Sequence, residues 1–121
     1  MRPLVLIVDD DPEFRFLIIE SLKRHFNAQW IEASSGQEAL KLLQESFIAL
    51  VISDFNMPNG SGTWLHQQMN IQMFQVPLIL FTSELFNVKV AQPFLDQTLR
   101  AVIPKLSIDE LIFGSEKIYL T

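Results

Sequence analysis

The chain has 121 residues, which is the size of one domain, and its hydrophobic fraction of 49% is enough to build a core. The absence of cysteine excludes disulfides and thiolate metal sites. The net charge of −5 argues against direct binding to nucleic acid or an anionic membrane, and the N-terminal apolar run is too short for a signal sequence or a membrane span, so we expect a cytoplasmic protein.

Five short apolar runs predict β-strands, which in chain order cover 4–8, 29–33, 49–54, 76–82 and 101–103. The first, third and fourth runs are almost wholly apolar, which is typical of strands buried on both faces. The second run is less apolar, and Pro104, which has no N–H to donate, closes the fifth. We therefore expect the second and fifth strands at the edges of a sheet.

Segments with apolar residues at helical spacing separate the strands and predict helices at 12–25, after Ser35, at 63–70 and after Ser107. Asp11 suits the N-cap of the first helix and Pro12 its first position. Both serines precede a glutamate by three residues and so match a capping box. Residues 83–99 fit no single element, because their apolar residues favour a helix that Pro93 should end. Gly114 is expected to weaken the last helix.

The alternation of strands and helices predicts an α/β fold, a single doubly wound domain with a five-stranded parallel sheet and helices on both faces. Polar side chains follow four of the strands where each one ends: Asp9 and Asp10, Asp54, Thr82, and Lys105. The carboxyl ends of parallel strands lie along one edge of the sheet, and ligands bind in the crevice there. We therefore expect three carboxylates, a hydroxyl and an ammonium group to converge in one pocket.

This set of groups is typical of phosphoryl transfer to a carboxylate. Clustered carboxylates repel one another and call for a cation, and ligands that are all oxygen favour Mg²⁺. The metal and Lys105 would neutralise charge on an incoming phosphoryl group, and Thr82 could donate a hydrogen bond to one of its oxygens. Asp54, held at the end of a buried strand, would be the nucleophile that becomes an aspartyl phosphate.

Each of these residues also has a plainer interpretation when it is considered alone. Asp9 and Asp10 could be turn and capping residues, because aspartate favours helix N-termini. Asp54 could be a turn former, Thr82 a structural residue and Lys105 a solvated surface charge. Their joint placement at four strand ends is what favours a shared site.

These residues, together with the segment Asp54-Phe55-Asn56-Met57-Pro58 and Gly62, resemble the receiver domain of two-component response regulators. The resemblance covers essentially the whole chain and is strongest over 4–66. It implies one receiver domain over 1–121, with a flavodoxin-like fold whose strands lie in the order 2-1-3-4-5.

By this resemblance, Asp54 accepts a phosphoryl group from the phosphohistidine of a sensor histidine kinase or a histidine phosphotransfer protein. Mg²⁺ would be held directly by Asp10, Asp54 and the backbone carbonyl of Asn56, and through water by Asp9. Thr82 and Lys105 would report phosphorylation to the face formed by the fourth helix, fifth strand and fifth helix. That face would contact a downstream protein or a C-terminal effector domain. The chain would be a signalling domain that slowly hydrolyses its own phosphoryl group, and not an enzyme.

The second half of the chain departs from the family pattern. Val102 stands where the family usually has an aromatic residue, Leu106 where it usually has a proline, and Arg100-Ala101 where a Gly-Ala pair usually opens the fifth strand. Because a hydroxyl–aromatic coupling cannot run through Val102, a constitutive interaction scaffold with weak or atypical switching is the alternative function. A Mg²⁺-dependent phosphohydrolase would need a second acid two residues after the nucleophile, and Asn56 stands there instead.

A few other residues carry weaker expectations. His25 and His66 are expected at the surface of helices. The apolar residues Phe86, Val88 and Val90 fit either a core helix or an exposed surface for a partner. Glu84, two residues after Thr82, is expected either at the mouth of the pocket or in open solvent.

Overall fold

The computed structural model describes residues 2–120. Strands and helices alternate through it. In chain order they are β1 (Leu4–Val8), α1 (Pro12–Leu22), β2 (Gln29–Ala33), α2 (Gly36–Glu45), β3 (Leu50–Asp54), α3 (Gly62–Ile71), β4 (Leu78–Thr82), α4 (Leu85–Ala91), a 3₁₀ turn (Gln92–Phe94), β5 (Leu99–Pro104) and α5 (Ile108–Leu120). This succession confirms the predicted α/β architecture.

The five strands form one parallel sheet in the order β2-β1-β3-β4-β5. The predicted topology is therefore confirmed, with β2 and β5 at the edges. The register aligns Val8 with Ser53, Asp54 with Phe81, and Thr82 with Pro104. The strand ends consequently lie along one edge of the sheet, which is where the polar residues of the sequence fall.

The sheet separates two apolar layers, which explains the uninterrupted apolar runs. Successive residues of a strand point to opposite faces, so Leu6 and Val8 pack with one layer, and Val5 and Ile7 with the other. The first layer includes residues of α2, α3 and α4, and the second includes residues of α1 and α5. A strand covered on both faces is therefore apolar at almost every position.

Side-chain caps begin the first two helices where the sequence predicts them. The carboxylate of Asp11 accepts a hydrogen bond from the N–H of Glu13 (3.0 Å), and the hydroxyl of Ser35 accepts one from the N–H of Glu38 (3.1 Å). The carboxylate of Glu38 turns back to the N–H and hydroxyl of Ser34, one residue before the expected partner. The capping box is therefore present in a shifted form.

Several predicted boundaries are wrong. Helix α1 ends at Leu22 and not at residue 25, because the carbonyl of Leu22 accepts from both His25 and Phe26 in a closing turn. Strand β4 begins two residues later than predicted and ends at Thr82 as predicted, and β5 extends at both ends of the predicted 101–103. Helix α5 continues through Gly114 to Leu120, and the weakening expected at this glycine stays a prediction.

The segment 83–99, which the sequence left open, contains a short helix followed by a 3₁₀ turn. Helix α4 has seven residues, and Pro93 lies in the turn that replaces its continuation. The ring of a proline and its missing N–H are incompatible with a further helical turn. The expectation that Pro93 bounds a helix is therefore confirmed.

Candidate functional site

Three carboxylates meet at the carboxyl edge of the sheet. One oxygen from each of Asp9, Asp10 and Asp54 lies within 4.8 Å of the other two. Asp9 is buried at 1% exposure, and Asp10 is exposed. Asp9 and Asp10 directly follow β1 and Asp54 ends β3, so the pairing of these neighbouring strands brings the acids together.

Lys105 is the cation that faces this cluster. Its Nζ lies 2.8 Å from Oδ2 of Asp9 and 3.3 Å from Oδ1 of Asp54, although 96 residues separate Lys105 from Asp9. The ring of Phe14 lies beneath the ammonium group, 4.1 Å from Nζ to the ring centroid. The ammonium group, held between two carboxylates and an aromatic face, therefore offsets part of the negative charge of the cluster.

Backbone and side-chain hydrogen bonds hold Asp9 in place. Its Oδ1 accepts from the N–H of Asp11 at 2.9 Å, and its Oδ2 accepts from Lys105. The guanidinium group of Arg15 bridges the carbonyl of Asp9 and, at 2.9 Å, the carboxylate of Glu32 on β2. Sequence reasoning missed Arg15, because its partner on β2 is distant in the chain.

Asp54 is held less completely. Its Oδ1 accepts from the N–H of Phe55 at 2.8 Å, while Oδ2 accepts no hydrogen bond from any residue that the structure describes. Burial raises the pKa of Asp54, and the negative charge of Asp9 raises it further, against the opposing effects of Lys105 and the Phe55 N–H. Asp54 therefore keeps one oxygen open in a setting that disfavours its charge.

The loop after β3 folds tightly against the site. The N–H of Gly62 donates to the carbonyl of Phe55 at 3.0 Å, and a Cβ at Gly62 would collide with the carbonyl of Asp54. Glycine is therefore required where α3 begins this close to β3. Met57 anchors the loop in the core, and Asn56 is exposed. The carbonyl of Asn56 stays a predicted metal ligand.

Thr82 lies at the end of β4, buried at 1% exposure. Its carbonyl accepts from the N–H of Lys105 at 2.6 Å, which joins β4 to the residue that faces the acids. Its hydroxyl oxygen accepts from the N–H of Glu84 (3.2 Å) and from Nδ2 of Asn87 (3.1 Å). Glu84 itself is exposed.

Asn87 is the second residue near the site that sequence reasoning missed. It is 9% exposed and lies one turn before buried Ala91, on the inner side of α4. Phe86 and Val90 are exposed at 72% and 46%, so the core interpretation of these two residues is wrong. A polar residue in helical register with a small buried one was the signal that could have identified Asn87.

The histidines fall into two different environments. His25 is exposed, as expected. The surface prediction is wrong for His66, whose side chain is only 12% exposed and whose Nε2 lies 2.9 Å from Oδ2 of Asp96. Asn70 donates to the same oxygen at 3.0 Å. This pair links α3 to the segment before β5, on one side of a groove of about 380 Å³ between α3 and α4.

Two of the positions that depart from the family pattern have contrasting surroundings. Val102 is buried at 7% exposure and pairs in register with Leu80 on β4. Leu106 is 91% exposed in the turn between β5 and α5. No aromatic side chain from position 102 can therefore move between buried and exposed positions beside Thr82.

A parallel α/β sheet with acids, a lysine and a threonine at its carboxyl edge defines the class of this protein, and comparisons identify the family. The model of the response regulator receiver domain family matches residues 5–112. The chain therefore belongs to the receiver domain family of two-component signalling, whose members are signalling modules.

Known relatives include both large and small proteins. Histidine kinase P4 of Formosa agariphila is 38% identical over 84 residues, which cover 68% of this chain but 6% of the kinase. The "Probable chemotaxis protein CheY" of Rhizobium etli is 30% identical, with 93% of this chain and 94% of that protein covered. The chain thus spans a small part of the kinase and nearly all of the CheY protein.

Solved receiver structures share the fold. The response regulator TrrA of Thermotoga maritima, solved in complex with Mg²⁺ and BeF, superposes with a TM-score of 0.84 at 26% identity, covering 96% of this chain and 98% of that one. The acidic cluster found here is typical of the magnesium site of receiver domains. In the part of the chain that the structure describes, no helix is long and apolar enough to cross a membrane.

Proposed function

We propose that this chain, as one receiver domain over 1–121, accepts a phosphoryl group on Asp54. The donor would be a phosphohistidine of a sensor histidine kinase or a histidine phosphotransfer protein. The observation that carries the proposal is the open Oδ2 of Asp54, a residue whose carboxylate lies beside two further carboxylates and whose Oδ1 lies 3.3 Å from Nζ of Lys105. Membership of the receiver family supports the same reaction class.

The geometry favours Asp54 over its neighbours as the nucleophile. Both carboxylate oxygens of Asp9 already accept hydrogen bonds, and the residue is almost fully buried. Asp10 is exposed in the turn after β1 and has no comparable support from a strand. Asp54 combines an unengaged oxygen with a backbone fixed by β3, which suits an attacking group.

The transfer would be a displacement at phosphorus. Oδ2 of Asp54 attacks, a phosphorus–oxygen bond forms, and the phosphorus–nitrogen bond to the donor imidazole breaks. The leaving nitrogen keeps the electron pair and takes up one proton from solvent, so that the donor ends as a neutral imidazole. Lys105, already close to Asp54, would balance part of the charge on the phosphoryl oxygens, and the Thr82 hydroxyl would donate to one of them.

The donor set fits a magnesium ion. Three carboxylates with oxygens within 4.8 Å of one another make a hard, all-oxygen, strongly anionic cluster, which is the ligand chemistry that Mg²⁺ prefers. The residues proposed to hold the ion are Asp9, Asp10, Asp54 and the backbone carbonyl of Asn56. When bound, Mg²⁺ would neutralise negative charge between the acids and the phosphoryl group.

The consequence of phosphorylation would be a change of contacts on the face of α4, β5 and α5. Large apolar side chains are exposed on both helices, including Phe86 and Phe113. The recipient would be a downstream protein or a C-terminal effector domain, and the phosphoryl group would be lost by slow self-hydrolysis. A cytoplasmic location also stays a prediction.

A constitutive scaffold is the second candidate, and one observation favours it. Phe86 and Val90 are exposed on α4, and position 102 carries no aromatic switch. The two candidates differ in one measurable property. A beryllofluoride–Mg²⁺ complex, which mimics the phosphorylated state, should change oligomerisation or partner binding of a switch and should leave a scaffold unchanged.

The reaction itself is tested by incubating the chain with acetyl phosphate and Mg²⁺ and measuring intact mass. The wild-type chain should gain one phosphoryl group, and Asp54→Ala should gain none. Glu45→Ala is the matched control, because it removes an exposed carboxylate outside the cluster and should be modified like the wild type. Modification of Asp54→Ala at the wild-type rate would contradict the proposed site.

A further inference from the structure

The hydroxyl of Thr82 is held in an orientation that only one side chain and one backbone N–H determine. A threonine hydroxyl has two lone pairs and one proton. Glu84 N–H donates to its oxygen at 3.2 Å and Asn87 Nδ2 at 3.1 Å, so both lone pairs are engaged. The proton must then point in the remaining tetrahedral direction. No acceptor within residues 2–120 takes that proton in a hydrogen bond.

Asn87 has no evident structural reason to be polar. It is 9% exposed on the inner side of a short helix, where the other buried residue of that helix is the apolar Ala91. A buried amide costs desolvation energy that an apolar residue of similar volume would avoid. Its described hydrogen-bond partner is the hydroxyl of Thr82. The polar side chain therefore serves the contact with Thr82 and not the packing of α4.

We propose that Asn87 is a positioning residue, which keeps the Thr82 hydroxyl free to donate to the phosphoryl group on Asp54 and couples that hydroxyl to α4. The inference rests on the proposed function. When the hydroxyl donates its proton to a phosphoryl oxygen, Thr82 is drawn towards Asp54, and the Asn87 amide that donates to the hydroxyl oxygen is drawn after it together with α4. The exposed apolar residues of α4 then change position without any aromatic residue at Val102.

The test compares Asn87→Leu with Lys89→Leu, an exposed control on the same helix. Acetyl phosphate with Mg²⁺ measures the rate of mass gain. We expect Asn87→Leu to react about tenfold more slowly than the wild type, the factor that one hydrogen bond in the transition state is worth. Lys89→Leu should react like the wild type. Unfolding in urea should show both variants folded under the assay conditions.

Two further measurements separate positioning from packing. Beryllofluoride with Mg²⁺ should shift the amide NMR signals of residues 53–56 in both wild type and Asn87→Leu, but those of α4 only in the wild type. In a Thr82→Val background, which has no hydroxyl, Asn87→Leu should cause no further loss of rate.

Either of two results would overturn the inference alone: a wild-type response of α4 in Asn87→Leu, or an undiminished effect of that substitution in the Thr82→Val background. A wild-type chain that gains no phosphoryl group would overturn the proposed function, and the inference with it. If the wild type gains a phosphoryl group and one of the first two results is found, only the inference about Asn87 has failed.

Discussion

Two carboxylates in this molecule are held in opposite ways. Burial raises the pKa of Asp54, and the nearby charge of Asp9 adds to that effect. Partial burial acts in the same direction on Asp96, but hydrogen bonds from the N–H of Leu99, from Asn70, His66 and the N–H of Thr98 outweigh it and lower the pKa of Asp96 to about 2. The surroundings of Asp54 disfavour its charged form, whereas the hydrogen bonds to Asp96 stabilise its charged form.

The difference distinguishes a reactive carboxylate from a structural one. Both oxygens of Asp96 accept hydrogen bonds, and the residue joins α3 to the start of β5. Asp54 leaves Oδ2 open and lies near a second acid, an arrangement that costs stability unless a cation or an incoming group uses it. Three substitutions test this contrast, beginning with the largest expected effect.

Removing the positive charge of Lys105 should have the largest effect on stability. Lys105→Met would leave the carboxylate of Asp9, whose side chain is 2% exposed, without its charge partner. We expect the free energy of unfolding to fall by about 3 kcal/mol, as when one member of a buried ion pair is lost. Urea unfolding at pH 7 measures it, with Lys41→Met, an exposed lysine on α2, as the control. Equal stability of the two variants would show that the positive charge of Lys105 does not stabilise the buried negative charge of Asp9.

Neutralising Asp96 should also destabilise the fold. Asp96→Asn weakens the hydrogen bonds from Leu99, Thr98 and the α3 side chains, and we expect a loss of about 1–2 kcal/mol at pH 7. Because the folded-state pKa is depressed, the advantage of the wild type is fully present above about pH 4. It should disappear as the pH falls towards about 2.

Unfolding curves at several pH values, with Glu45→Gln on α2 as an exposed control, measure that loss. A variant as stable as the wild type at pH 7 would show that the Asp96 cluster does not hold α3 to β5.

Neutralising Asp54 should have a smaller effect of the opposite sign. Asp54→Asn removes a charge that burial and Asp9 disfavour, so we expect the free energy of unfolding to rise by about 1 kcal/mol at pH 7. Because the folded-state pKa is raised, the wild type binds a proton more readily folded than unfolded and gains stability on acidification. The advantage of the variant should therefore shrink as the pH falls from 7 towards the ordinary aspartate pKa. Destabilisation by Asp54→Asn at pH 7 would contradict the claim that the folded structure disfavours the charge of Asp54.

Much of the fold could be predicted because its signals are local. Apolar runs such as Leu4–Val8 are apolar at every position because the sheet is covered on both faces. Caps such as Asp11 and Ser35 act within a few residues. The boundaries were less predictable, since the end of α1 depends on a turn that pairs Phe26 with Leu22.

The approach of Asp54 to Asp9 and Asp10 could be anticipated from the sequence because each residue ends or follows a strand, and parallel strands share one carboxyl edge. The sequence also predicted that Lys105 joins these acids, although 96 residues separate Lys105 from Asp9. Two other contacts were decided only by the tertiary structure: Asn87 reaches Thr82 from the inner side of α4, and His66 pairs with Asp96 between α3 and β5. Strand periodicity and caps act between neighbours in the chain, whereas these contacts depend on how helices and loops pack against the sheet, which no local pattern records.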